Sequence, residues 1–221
     1  MLTQKFLDLT ASFGADWVNW VLIAVSIVGL AVFFDRIALY LRTRERYASL
    51  RTAFSASLVA GEVDGAIRAV EGDSLVRNVL RAGLELVARG ERQPASIEQA
   101  MLGRLSEERG RYEANLSVLT TIGNVAPLIG LLGTVIGIVG AFYVLGKLGT
   151  VQASSNSLVM SSIGEALVTT GLGIAVAVPA VVAYNALRAH VMARLKQAEA
   201  LSRELIANLP RLRLDDTGAE G

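Results

Sequence analysis

The chain has 221 residues, 52% of them hydrophobic and 19% charged, with a formal net charge of +1. Its mean hydropathy of +0.48 is high for a soluble domain, where charged residues usually make up about a quarter of the total. With no cysteine there is no disulfide, thiolate metal site or thiol catalysis, and the single histidine, His190, leaves no ligand set for zinc. The near-neutral charge argues against a nucleic-acid binder, which carries a basic patch or stripe.

Residues 1–16 read as a short external segment. From Trp17 to Phe34 there is no Asp, Glu, Lys or Arg. A bilayer core of about 30 Å takes about 20 apolar helical residues, so a first membrane span is placed at 17–39. Only Lys5 precedes it, whereas Arg36, Arg42, Arg44, Arg46 and Arg51 follow. That is the wrong flank for a signal peptide, and there is no small-x-small cleavage site, so the span is expected to be retained. Asp35, beside Arg36, reads as half of an interfacial pair.

Residues 40–116 are mixed in charge and read as a solvated helical domain. "GEVDGAIRAV", "SLVRNVLRAGLELVARG" and "ASIEQAMLGRLSEERGRYEANL" all have amphipathic helical patterning. Pro94 precedes an expected N-cap at Ser96, with Gln99 at the capping-box position. Nothing between Ile97 and Ser117 breaks a helix strongly, which leaves this one free to run unbroken into the next span.

From Ala114 to Leu187 the only Asp, Glu, Lys or Arg residues are Lys147 and Glu165. Two further spans are expected, at 117–145 and 160–187, joined by a polar loop at 146–159. The second contains "GNVAPLIGLLGTVIGIVGAFYVLG". Gly133, Gly137 and Ala141 follow a small-xxx-small pattern, with Gly130 adding further small surface, and the third span repeats the theme at Gly171 and Gly173. In lipid, apolar side chains gain little by leaving the tails for each other, so small residues mark close helix packing. The packing is either within one chain or also between subunits; two such faces on three spans favour an oligomer. Pro127 and Pro179 each remove one helical donor and are candidate kinks.

Glu165 is the acid inside the third hydrophobic stretch, about one to two turns from its start. A carboxyl there is costly and is by default a candidate proton-handling group. The bland alternative is a glutamate reaching interfacial water. Ser161 and Thr169 lie four residues away on either side and share its helical face, and Thr134 lies within the glycine-rich run. Such hydroxyls suit a wet path or a helix–helix hydrogen bond, or simply bond back to their own helix. Residues 188–221 read as a C-terminal helix ending in a disordered tail, "RLDDTGAEG".

Arginines follow the first and third spans, and only Lys147 lies between the second and third. By the positive-inside rule the N-terminus and the 146–159 loop are outside, while residues 40–116 and the C-terminus are cytoplasmic. Trp17 and Trp20 then fit an outer interfacial belt, Tyr40 and Tyr184 the inner one.

"NVAPLIGLLGTVIGI" followed by "IGEALVTTGLGIAVAVPAVVAYN" resembles the two signature helices of the ExbB/TolQ/MotA proton-channel family. The likeness rests on Pro127, the Gly-Leu-Leu-Gly-Thr ending at Thr134, the Glu-Ala-Leu beginning at Glu165, Thr170, and Pro179 through Asn185, within residues 117–187. Three spans with a large first cytoplasmic loop resemble the ExbB/TolQ branch; MotA-type subunits have four spans and lack this glutamate. The resemblance implies an all-α homopentamer in the bacterial inner membrane, around a pore. It also implies a dimer of a single-span partner of ExbD or TolR type that carries the essential membrane aspartate. No cofactor is implied beyond the transported proton. Thr134, Glu165 and Thr170 match the family's polar pore positions. On a helical wheel Thr169 is about 40° from Glu165 and Thr170 about 140°, so which of the two faces a pore stays open.

The leading function is thus a subunit of a proton-driven motor working on the outer membrane or envelope. The alternatives are a gliding- or flagellar-type stator and a non-conducting scaffold for a partner helix. An enzyme is not expected: a Ser–His pair is poorly placed, and neither a P-loop nor a GxGxxG is present.

Overall fold

The computed structural model of the chain describes residues 16–43, 46–148 and 153–212. Among these there is no β-strand. The helices are α1 (Asp16–Arg42), α2 (Tyr47–Ala60), α3 (Val63–Ala69), α4 (Leu75–Ala88), α5 (Pro94–Glu113), α6 (Leu116–Leu148) and α7 (Ala153–Asn208), followed by a 3-10 turn at Leu209–Arg211. The tail "RLDDTGAEG", residues 1–15 and residues 149–152 of the expected loop lie outside the described residues.

Three helices are long and apolar enough to cross a membrane, with peak mean hydropathies of 2.2, 2.2 and 2.1 in chain order. At 1.5 Å per residue the 33 residues of α6 reach about 50 Å and the 56 of α7 about 84 Å, both longer than a bilayer core.

Two compact units divide the chain, one comprising Met1–Asp35 with Asn115–Ala186 and the other Arg36–Ala114 with Leu187–Gly221. Both α1 and α7 contribute to each.

The membrane unit packs α1, α6 and α7 around Val18, Leu22, Ile122, Ala126, Ile136, Ala177 and Ala180. The core residues of α6 and α7 are largely small, which lets backbones rather than long side chains meet. Large apolar residues face outward instead, among them Trp20, Ile27, Phe34, Leu128, Leu167 and Val182. An apolar exterior of this extent suits hydrocarbon or a neighbouring subunit rather than water.

In the second unit, α2 to α5 and the end of α7 enclose Phe54, Leu58, Leu80, Leu84, Ile97, Met101, Leu201 and Leu205. Ser74 caps α4 by accepting from the Arg77 amide at 3.3 Å. Gly61 ends α2 at φ 81°, and a Cβ there would fall 2.8 Å from the Arg211 carbonyl oxygen, so only glycine fits.

Two expectations for α5 fail. Pro94 occupies the first helical turn, where its missing N–H and fixed φ are best tolerated, so Gln93 and not Ser96 precedes the helix. Ser96 donates its hydroxyl hydrogen to the Gln93 side chain at 3.3 Å instead. Nor does α5 run on into the second span. The helix stops at Glu113, and Asn115 turns the chain at φ 59°, a left-handed conformation that asparagine tolerates better than most residues.

A polar knot ties α5 to the turn before α4. Glu108 is only 2% exposed; it accepts from Asn78 at 3.0 Å and pairs with Arg104 at 2.8 Å. Asn78 also donates to Asp73 at 2.9 Å, and Arg111 holds both Asp73 oxygens at 3.1 and 3.0 Å. The Arg111 guanidinium, with help from Asn78, holds the Asp73 carboxyl down at about 2.

Candidate functional site

The site is built where α6 and α7 meet. Gly130 and Gly173 face each other: a Cβ built on Gly130 would lie 3.2 Å from the Gly173 Cα, and one built on Gly173 would lie 2.6 Å from the Ala126 carbonyl oxygen. A Cβ on Gly137 would lie 2.7 Å from that of Ala166, and one on Gly133 would run into the Thr169 methyl, with Val18 of α1 at 3.1 Å. Gly123 abuts Val181 in the same way. The glycines therefore serve contact within one chain. Gly171 is different: no heavy atom lies within 4 Å of its hypothetical Cβ. Its face is open in the single chain and takes no part in the α6–α7 contact.

Pro127 and Pro179 sit inside the continuous helices α6 and α7. Each removes an N–H, leaving the Gly123 and Ala175 carbonyls without their usual helical donors. Pro179 also borders an apolar groove of about 420 Å³ within the membrane unit, lined by Gly29, Phe33, Ile122 and Ala183 among others.

The structure separates the threonine hydroxyls from the Glu165 carboxylate, whereas Ser161 is exposed as Glu165 is. Thr169 is fully buried; its methyl covers Gly133 and its hydroxyl donates back to the Glu165 carbonyl at 3.3 Å. Thr170 also faces α6, donating to the Gly130 carbonyl at 3.0 Å, with the Thr134 hydroxyl oxygen at 3.5 Å. Thr134 is 7% exposed and donates to the Leu131 carbonyl at 2.7 Å. The buried positions of α7 in this stretch are Ala166, Thr169, Gly173, Ala177 and Ala180. Glu165 lies about a quarter-turn from the middle of that face and is exposed. Sharing a wheel sector with Thr169 did not put the two in one environment, because the edge of the packed face passes between them.

Sequence reasoning missed one residue here. Asp16, in the first turn of α1, brings its carboxyl group into hydrogen-bond contact with that of Glu165. The available signal is an acid immediately before an apolar run, at the end of the stretch that reads as an external segment.

His190 belongs to the other unit. Its ring stacks on Tyr40 at 5.2 Å, and Tyr40 stacks on Tyr112 at 5.8 Å. Among the described residues no group of three or more His, Asp or Glu side chains could hold a metal ion.

This pattern of residues recurs in known proteins. A model of the MotA/TolQ/ExbB proton channel family matches residues 71–200. The chain is 38% identical to the Tol-Pal system protein TolQ of Pseudomonas aeruginosa over 121 residues, 51% of each protein. It is 30% identical to the biopolymer transport protein ExbB of Xanthomonas campestris pv. campestris over 196 residues, 80% of this chain and 76% of that one. Over 73 residues, 33% of this chain, it is 45% identical to ExbB of Helicobacter pylori, of which it covers 48%. The chain thus spans about half of the TolQ and Helicobacter relatives and three quarters of the Xanthomonas one. With the family model matched over more than half of its length, this three-span membrane chain belongs to the MotA/TolQ/ExbB proton channel family.

Proposed function

We propose that the chain is the proton-conducting subunit of an inner-membrane complex that uses the proton motive force to drive work at the outer membrane or cell envelope. The observation that carries the reading is Glu165: an exposed carboxyl group within a membrane-spanning helix of a proton-channel family member. A carboxyl facing acyl chains costs several kcal/mol, whereas one facing a water-containing lumen or a partner helix does not. Its exposure in the single chain therefore favours assembly around a pore. The open face at Gly171 supports the same view, since a neighbouring subunit could approach it closely.

In this reading the assembly is a homopentamer with the N-terminus periplasmic and the C-terminus cytoplasmic. A dimer of single-span partners of ExbD or TolR type stands in the pore. Each partner brings a membrane aspartate, and Glu165 exchanges protons with the path that this aspartate uses. One charge crossing 100 mV yields about 2.3 kcal/mol, enough to bias a conformational cycle. Residues 130, 133, 137 and 173 hold the two pore helices together.

A second reading, a non-conducting pentameric scaffold, draws on one observation: the hydroxyls of Thr134, Thr169 and Thr170 all donate to backbone carbonyls. Reconstitution separates the two. The chain and its single-span partner are placed in liposomes carrying a pH gradient. Collapse of the gradient that needs both proteins supports conduction; a stable complex that leaves the gradient intact supports the scaffold.

A further inference from the structure

We propose that Thr170 is a positioning residue. Its hydroxyl fixes the rotation of α7 against α6, and so the direction in which Glu165 is presented, and it does not itself carry the proton. The proposal deepens the reading of Glu165 as the proton-handling acid and rests on it.

The first support is where the bond falls. Thr170 donates to the Gly130 carbonyl at 3.0 Å, one turn from the place where Gly130 and Gly173 bring the two backbones together. Contacts between glycine, alanine and methyl groups set how close two helices come. Those contacts oppose large rotations, which would carry Leu172 or Ile174 against α6, but within that limit dispersion is weakly directional and leaves the fine angle of α7 loosely set. A hydrogen bond across the same crossing is directional. In an apolar surrounding a hydroxyl that lost it would find no water in exchange.

The second support is chemical. A proton relay needs groups that accept a proton on one side and donate one on the other. The Thr170 hydroxyl donates to a carbonyl oxygen, and so does the neighbouring Thr134 hydroxyl, to Leu131 at 2.7 Å. A backbone carbonyl has no hydrogen to pass on, so both chains end there. The two hydroxyl oxygens lie 3.5 Å apart, at the limit of a hydrogen bond.

The third is angular. Thr170 is about 140° around the helix from Glu165. With Thr170 held on α6, Glu165 is turned away from the α6–α7 contact and towards Asp16 of α1, whose carboxyl group it meets, consistent with its exposure. Removing the hydroxyl loosens that angle within the limits the glycine contacts set and changes what the carboxyl group faces.

The test reads Glu165 directly. Membranes containing the full chain with its partner are treated with dicyclohexylcarbodiimide, which reacts with protonated membrane carboxyl groups, and labelling of Glu165 is followed by mass spectrometry across pH. Thr170→Val should change the labelling rate several-fold or move its pH midpoint, Thr170→Ser should restore both, and Thr121→Val, which removes an exposed hydroxyl that donates to the Ser117 carbonyl within α6, should leave them near wild type. Should Thr170→Val not accumulate in the membrane, Thr170→Ala also lacks the hydroxyl but adds no bulk, and carries the same expectation. Unchanged labelling in the hydroxyl-free variants overturns the proposal, and if proton flux is lost at the same time Thr170 carries the proton itself. Loss of assembled protein in both variants, recovered by serine, makes the hydroxyl a packing device and equally overturns it. Labelling needs no proton flux, so a Glu165→Gln variant that conducts normally would sink the conduction reading without touching this result.

Discussion

Gly130 and Gly173 touch backbone to backbone: a Cβ added to either would lie 3.2 or 3.1 Å from the Cα of the other. The closest approach of the second and third spans therefore depends on two missing side chains. Gly173→Ala should separate α6 and α7, because the added carbon would fall 2.6 Å from the Ala126 carbonyl oxygen, which cannot move independently of its helix. Overpacking of this kind costs about 1–3 kcal/mol, and a lowered thermal midpoint of the detergent-solubilised protein would record it. Gly171→Ala meets nothing within 4 Å in the same chain and should leave the monomer's stability unchanged. A loss of oligomer on size-exclusion chromatography in that variant would assign the Gly171 face to a subunit contact.

The polar knot in the second unit makes a different prediction. Asn78 donates to both Asp73 and Glu108, and Glu108 is buried with one oxygen that has no hydrogen bond and faces Arg111 at 3.7 Å. Asn78→Ala removes a donor from a buried carboxylate and should cost about 1–3 kcal/mol. Glu107→Ala, which breaks an exposed 2.9 Å pair with Arg104, should cost about 0–1 kcal/mol. Chemical denaturation of the full chain followed by circular dichroism would rank the two; equal effects would contradict the burial argument.

Acid should loosen the same knot in a defined window. The folded Asp73 carboxyl is held at about 2, below its ordinary 3.8. Its contribution is therefore complete above about pH 4 and is lost as pH falls from there towards 2. The group is largely exposed, so solvent screening keeps the effect small. Asp73→Asn should remove that part of the acid dependence and lower stability at neutral pH. An unchanged acid limb in Asp73→Asn would show that the Arg111 pair contributes nothing.

Most of the architecture is legible from where charge is missing. Two long stretches with almost no Asp, Glu, Lys or Arg announce three spans, and the glycine spacing of the second names the face that packs. Other features need coordinates because they depend on which side of a helix meets a neighbour. Thr169 and Glu165 lie close on a helical wheel, yet one covers Gly133 and the other is exposed. Gly171 resembles Gly173 in sequence but packs against nothing in its own chain. Glu108 sits in a run, "SEERGRYE", that reads as solvated. It nevertheless shares a face with the buried Ile97, Met101 and Tyr112, and Asn78 on α4 together with Arg104 on its own helix explains why an acid is tolerated there. The break at Asn115 had a weak signal in the residue type itself. The Asp16–Glu165 contact joins residues almost 150 positions apart, a pairing that no local pattern reveals.

The most direct measurement of the role of Glu165 is proton flux through liposomes containing the chain with the proposed single-span partner, comparing wild type with Glu165→Gln at equal assembled protein. Glutamine keeps the size and hydrogen-bonding shape of the side chain but cannot exchange a proton near neutral pH. Glu165→Gln should form complexes of wild-type size and conduct few or no protons, while Glu165→Asp should retain part of the flux. Wild-type flux through Glu165→Gln complexes would contradict the proton-handling role of Glu165.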